Sequence, residues 1–190
     1  MTKPGLLLPI VAPSGTGKTT VCRALLRQDP DFVFSISCTT RAPRANERHG
    51  IDYHFIDRET FAQYQREGRL AEWQEVFGDY YGTLRSAIES ALSEGRILLL
   101  DIDVKGALRL KQLYPQQTIC IFLMPPSLTV LNQRLQNRGT EDAPTVAKRQ
   151  ARVPEELQLS NQCDYRIIND QLPVTVEQIM HIIEEYRNHD

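Results

Sequence analysis

The stretch Leu6-Leu7-Leu8-Pro9-Ile10-Val11-Ala12-Pro13-Ser14-Gly15-Thr16-Gly17-Lys18-Thr19-Thr20 decides the fold. An apolar run of strand length enters a glycine-rich turn, and a helical pattern over residues 18–28 follows. The turn matches the phosphate-loop spacing G-x-x-x-x-G-K-[ST], except that Ala12 stands in place of the first glycine. Successive backbone N–H groups of such a loop curl around phosphate oxygens, and the helix N-terminus adds its positive end. Lys18 places a point charge on the transferring phosphate, and Thr19 offers a hydroxyl to Mg²⁺. The bland alternative is a merely glycine-rich turn between strand and helix. Lys18-Thr19, with strand and helix on the correct sides, favours nucleotide binding. The Ala12 departure matters only if that position needs a positive φ.

Outward from the loop, apolar runs alternate with helical patterns, which predicts an α/β fold with a mainly parallel sheet. The expected strands are Leu6–Ala12, Phe32–Ser37, Ile97–Ile102, Thr118–Met124 and Tyr165–Ile168. Helices are expected over 18–28, 84–94 (ending at Gly95), 127–137 and 174–188. Residues 38–83 break the rhythm: extended pieces Asp52–Ile56 and Leu70–Val76, a short helix near 58–67 and a polar loop, Ala42–Gly50. They read as an insertion with its own partly antiparallel sheet. A second polar stretch, Asn137–Thr145, reads as a mobile lid loop. The expected division is a core of residues 1–37 and 97–190, with a lid at about 137–154, and an insertion of 38–96 whose last helix returns to the core.

The 190 residues are 41% hydrophobic and 24% charged, ordinary for one globular domain and unlike a collagenous or disordered chain. Lys+Arg 22 against Asp+Glu 24 leaves no basic surplus to argue for nucleic acid. Leu6 to Pro13, the longest mainly apolar run, is too short for a membrane span. Lys3 and the leucines after it imitate a signal peptide, but Pro9 and the glycine loop argue for a buried strand. Cys22, Cys38, Cys120 and Cys163 show no metal-ligand spacing, and Cys120, in an apolar run, reads as a core residue. A reduced, cytoplasmic setting follows as the expectation.

The insertion supplies a second anion site. Thr39-Thr40-Arg41-Ala42-Pro43-Arg44 sets two guanidinium groups in a turn, and Glu47, Gly50, Asp52, Tyr53 and Phe55 follow closely. Two arginines can fork onto one phosphate dianion, with tyrosine hydroxyls completing the cage. An exposed basic loop is the plain alternative for Arg-x-x-Arg alone.

Residues 39–56, T-T-R-A-P-R-A-N-E-R-H-G-I-D-Y-H-F-I, resemble the signature segment of the guanylate kinase family. The resemblance continues through Glu72-Trp73, Gly78-Asp79-Tyr80-Tyr81-Gly82-Thr83, Asp101-Ile102-Asp103, Arg138-Gly139-Thr140 and Asn169-Asp170, covering about residues 6–187. It implies a P-loop nucleoside monophosphate kinase: a parallel-sheet core, an inserted mixed α/β GMP-binding region and a lid. The implied reaction moves the terminal phosphoryl of ATP to GMP with Mg²⁺. Carried over by motif, Ala12 to Thr20 hold the ATP phosphates. Ser37, Arg41, Arg44, Tyr53 and Tyr81 hold the GMP phosphate or its surroundings. Glu72, Thr83 and Asp101 read guanine. Arg134, Arg138 and Arg149 reach the ATP phosphates from the lid, and Asn169 and Asp170 lie near adenine. Lys18, Arg41 and the three lid arginines form the catalytic set. The implied partners are these small molecules, with no nucleic acid and no membrane.

Asp101 ends a buried run, and a carboxylate at the C-terminal end of a parallel strand faces the crevice where such sheets bind ligands. Guanine reading and Mg²⁺ assistance both remain open for it. Arg134 and Arg138, four apart, share a helix face, as solvated pairs also do. His49, His54, His181 and His189 share no ligand spacing, and Trp73 reads as packing for the insertion. Transfer onto an existing phosphate needs no strong general base, so none is nominated. Pro154 departs from the family pattern and predicts a kink or a fresh helix start near Arg149. A binding module of this fold without catalysis is the different-class alternative, against which Lys18, Thr19 and the arginines speak. A related small kinase with another phosphorylated acceptor is the third reading.

Overall fold

The computed structural model describes residues 3–127, 129–131, 133, 151 and 153–189. Its core is a five-stranded sheet of β1 (Leu6–Val11), β2 (Phe32–Phe34), β7 (Ile97–Asp101), β8 (Ile121–Met124) and β9 (Tyr165–Ile168). The strand order is β2-β7-β1-β8-β9 and every pair is parallel. β1 pairs with β7 from Leu6↔Ile97 to Ile10↔Asp101 and with β8 at Ile10↔Ile121. It is central because it can bury both faces. Leu6, Leu8 and Ile10 point into one layer with α1 (Lys18–Gln28) and α5 (Leu172–His189). Leu7 and Val11 point into the other with α3 (Arg85–Ser93) and α4 (Val104–Leu113). Each fully buried aliphatic side chain contributes about 1.5–3 kcal/mol. The signal-like leucines are therefore the inside of the sheet.

A second, four-stranded sheet holds β3 (Cys38–Thr39), β4 (His54–Phe55), β5 (Leu70–Val76) and β6 (Asp79–Leu84), in the order β4-β3-β6-β5. β3 and β4 are parallel, and the other pairs antiparallel. Helix α2 (Arg58–Arg66) is capped by Asp57, which accepts from Thr60 N at 2.7 Å, and it buries Phe61 with Cys38 and Leu70. Gly95, at φ 68, ends the return helix α3.

Three expectations change. The run Phe32–Ser37 divides, because after Phe34 the chain leaves the core sheet and pairs from Cys38 in the second one. Asp79–Leu84 is a full strand of its own. Helix α4 lies where no helix was expected; Asp103 caps it by accepting from Gly106 N at 2.8 Å, and Val104, Ala107 and Leu110 are buried. Of the expected helix 127–137, residues 129–131 and 133 are helical, and Leu131 packs on Val153. Pro154 lies within helical residues 153–159, while residues 134–150 and 152, where a kink would be decided, are outside the described residues. Cys120 is buried as expected, and its Sγ lies 2.8 Å from that of Cys163, a juxtaposition made by the parallel pairing of β8 and β9.

Candidate active site

Because β7 and β8 flank β1, the loops leaving β1 and β7 open the crevice at the carboxyl ends of the strands, the usual ligand position of such sheets. A cavity of about 440 Å³ lies there, between the two sheets. The loop after β1 forms one wall with Ala12, Pro13, Ser14, Gly15, Gly17 and Lys18, joined by Thr19. Gly15 and Gly17 have φ of 90° and 100°, the left-handed region that turns the backbone amides inward at α1. Phe77 is the one non-glycine residue with positive φ among the described residues, so Ala12 needs no glycine.

The loop is braced from behind. Asn169 Nδ2 donates to Thr16 O at 2.7 Å, its Oδ1 accepts from Thr175 Oγ1 at 3.0 Å, and its backbone N–H reaches Met124 O. All three side chains are buried. A side chain at Gly17 would collide with the Asn169 amide, with Cβ 2.8 Å from Nδ2.

Lys18 Nζ pairs with Asp101 Oδ1 at 2.7 Å and donates to Ile102 O at 3.3 Å. Burial lowers the lysine pKa, but the charge and hydrogen bond of Asp101 outweigh it and leave the pKa raised. The ammonium is therefore a fixed positive charge at the mouth of the phosphate loop.

On the opposite wall, Arg41 gives Nη2 to both carboxylate oxygens of Glu47 (2.8 and 2.9 Å) and Nε to the Tyr81 hydroxyl (3.2 Å). Its guanidinium lies 5.5 Å from the centre of the Tyr53 ring. Glu47 Oε2 also accepts from the backbone N–H of Arg44, so one carboxylate holds the Arg41 guanidinium and the Arg44 backbone. The Arg41 hydrogen bond holds the Glu47 carboxyl below its usual range. Burial, then the Asp101 charge, raises the pKa of the Tyr53 hydroxyl, so it remains a donor.

Glu72 is the most unusual group. It lines the cavity yet is only 5% exposed, and Oε1 accepts from the buried Thr83 hydroxyl at 2.5 Å. Burial pushes its carboxyl up to about 7, against the Thr83 hydrogen bond and with a smaller push from Asp103. Ser37, buried, lines the same cavity.

The structure thus brings Ala12 to Ser14, Gly15, Gly17 to Thr19, Ser37, Arg41, Arg44, Tyr53, Glu72, Tyr81 and Asp101 to one cavity. Thr83 enters through Glu72, and Thr16 and Asn169 through the brace. Thr20, on α1, and Asp170, after β9, are exposed and are not in the cavity wall. Arg134, Arg138 and Arg149 are outside the described residues. Trp73, expected to pack the insertion, lies edge-on to Tyr80 with ring centres 6.0 Å apart but is 45% exposed and outside the buried cluster there. Sequence reasoning gave no role to Glu47, Asp103, Gly106 or Thr175. Asp103 has a legible signal, a cap before the apolar spacing Val104, Ala107, Leu110; Glu47 and Thr175 act through contacts of three to six residues that follow no regular period, and Gly106 through a contact between distant segments.

The family model described as guanylate kinase matches residues 6–186. The chain is 43% identical over 185 residues to the guanylate kinase of Anaeromyxobacter dehalogenans, covering 97% of this chain and 82% of that protein. It is 42% identical to that of Salinibacter ruber, covering 95% and 96%. The crystal structure of guanylate kinase from Anaplasma phagocytophilum superposes with a TM-score of 0.81 at 32% identity, covering 98% of this chain and 88% of that one. A gluconokinase from Sinorhizobium meliloti, with a TM-score of 0.53 at 16% identity and coverage of 100% and 97%, shares the fold. With a phosphate loop facing a buried carboxylate across one cavity, and this likeness over nearly its whole length, the chain belongs to the guanylate kinase family, the ATP:GMP phosphotransferases.

Proposed function

We propose that the cavity holds GMP against the second sheet and the ATP phosphates in the loop after β1, for in-line transfer between them. The observation that carries this is the opposition, across one cavity, of the Lys18 cradle and the buried Glu72–Thr83 pair. Guanine presents N1–H and the N2 amine, both donors, beside the O6 acceptor. An ionised Glu72, acceptor-only, complements the donors, and the hydroxyl of Ser37 serves O6, since the single Thr83 proton is already given to Glu72 Oε1. Adenine has a lone pair at N1, which would face the carboxylate acceptor to acceptor. A site built this way rejects the wrong base by ~10⁴-fold or more.

Arg41, Arg44, Tyr53 and Tyr81 then hold the GMP phosphate at the centre of the cavity. One of its oxygens attacks the terminal phosphorus of ATP, and the bond to the bridging oxygen of ADP breaks. The attacking phosphate already carries its lone pair, so no base is needed. Lys18 exchanges Asp101 for the larger negative charge of the phosphates and stabilises the charge shifting toward ADP. Asp101 is then released to accept from the guanine amine or to help hold Mg²⁺. The hydroxyl of Thr19 and the carboxylate of Asp101, hard oxygen donors on the cavity wall, fit Mg²⁺. Among the described residues no three His, Cys, Asp or Glu form a group that could hold a metal ion. When bound, Mg²⁺ supplies charge neutralisation on the phosphates. Arg134, Arg138 and Arg149, with a lid at about 137–154, complete the donor side on the strength of their motif. Among the described residues no helix is long and apolar enough to cross a membrane; the cytoplasm, which supplies both nucleotides, is the proposed setting.

The test is ADP release with GMP, AMP, CMP or UMP as acceptor. Rapid turnover confined to GMP is expected. Equal turnover with AMP, or none with GMP, overturns the proposal.

A further inference from the structure

Helix α4 touches the base-reading end of the cavity through a residue with no side chain. A Cβ on Gly106 would stand 2.5 Å from Glu72 Oε2 and 3.0 Å from Glu72 Cδ. Real Cβ atoms do not approach so closely, so the Glu72 carboxylate rests directly on the first turn of α4. We propose that Gly106 is a positioning residue for guanine recognition: its bare α-carbon is the seat that fixes where the Glu72 carboxylate lies.

Three observations close off other resting places. Thr83 holds Oε1 from the β6 side at 2.5 Å. On the α4 side the Asp103 carboxylate, tied to the Gly106 N–H at 2.8 Å, stands 3.4 Å from the same Cβ position. Carboxylate repulsion therefore bars an escape toward Asp103. Glu72 is 5% exposed, so a displaced head group has only the cavity to enter, where the base would lie.

The energetics distinguish this seat from ordinary tight packing. The colliding atoms are the far end of a rotatable side chain, not backbone, so alanine at 106 moves Glu72 more easily than it unfolds α4. Gly106 is also the third residue of a helix, where alanine is intrinsically the better residue by ~1 kcal/mol. Gly106→Ala thus places helix stability and base reading in opposition.

The inference rests on Glu72 as the guanine reader, and one set of variants separates the two. Kinetic constants for GMP and AMP, KM for ATP, and Tm are measured for wild type, Gly106→Ala, Glu72→Ala and the double variant. For Gly106→Ala, a misplaced carboxylate should cost ~100-fold in kcat/KM for GMP. The loss should appear chiefly in KM for GMP, with KM for ATP unchanged. In the Glu72→Ala background the same substitution should cost nothing further for GMP and should raise Tm, since the collision is gone and the helix preference remains. Wild-type GMP kinetics in Gly106→Ala, beside lost GMP preference in Glu72→Ala, overturns the seat while leaving the reading of Glu72 intact. An undiminished GMP preference in Glu72→Ala overturns the reading beneath it. Equal losses from Gly106→Ala in both backgrounds, or a Tm fall in both, assign Gly106 to helix packing alone and refute the proposal.

Discussion

The Glu72 carboxylate should make GMP recognition depend on pH near neutrality, well above the range in which surface carboxylates titrate. Burial raises it from 4.5 to about 7, so near neutrality half of the free enzyme carries a protonated Glu72. Only the ionised form offers two acceptors to the guanine donors, and apparent affinity scales with the competent fraction. With a midpoint at about 7, that fraction falls roughly tenfold between pH 8 and pH 6. KM for GMP should therefore rise about tenfold over that interval. The GMP phosphate also titrates, near pH ~6, so the control is Glu72→Gln, which keeps the shape and removes the titration. Its profile should retain only the phosphate component, at lower affinity throughout. Superimposable pH profiles for wild type and Glu72→Gln would refute the reasoning. The free protein gives a second readout. A carboxyl with a raised folded pKa binds more protons folded than unfolded between 4.5 and about 7, so its contribution to stability is present below that window and falls as pH rises through it. At ~1.36 kcal/mol per pH unit, the contribution lost is about 3 kcal/mol, and Glu72→Gln should retain it at pH 8.

Three further outcomes follow from named contacts. Lys18→Ala should lower kcat by at least ~100-fold while calorimetry finds GMP binding largely intact, because the ammonium acts on charge that develops in transfer; near wild-type turnover would contradict the assignment. Glu47→Ala releases Arg41 and the Arg44 backbone together, so KM for GMP should rise about tenfold while KM for ATP stays constant, the cost of losing preorganisation at a bidentate site; an unchanged KM for GMP would remove Glu47 from phosphate binding. Asn169→Ala removes the buried hydrogen bond from its Nδ2 to the Thr16 carbonyl, a cost of ~1–3 kcal/mol. It should lower Tm by ~2–4 °C per kcal/mol and raise KM for ATP more than KM for GMP; equal effects on both nucleotides would mean the brace supports the whole fold and not the loop.

What sequence determines here is local and periodic. The run Leu6–Val11, its glycine turn and the Lys18 helix declare a strand, a phosphate loop and a helix, because each depends on neighbours within a few residues. Alternating apolar runs likewise declare the parallel sheet, and the Thr39–Ile56 segment declares the family through its chemistry. Helix α4 carries equally local signals in Asp103, Val104, Ala107 and Leu110, and belongs with what is legible. Tertiary structure alone decides the rest. Glu47 stands six residues from Arg41 with no regular element between them, and only the loop path brings the carboxylate onto both arginines. Cys120 meets Cys163 because two parallel strands pair across 43 residues of chain. Glu72 shows in sequence as one acidic residue in an extended segment, its carboxyl pKa ordinary in water. Its burial comes from closing β5 and β6 against α4, and its position comes from the space left at Gly106. Burial and close approach are properties of surfaces that meet, and no stretch of chain encodes them alone.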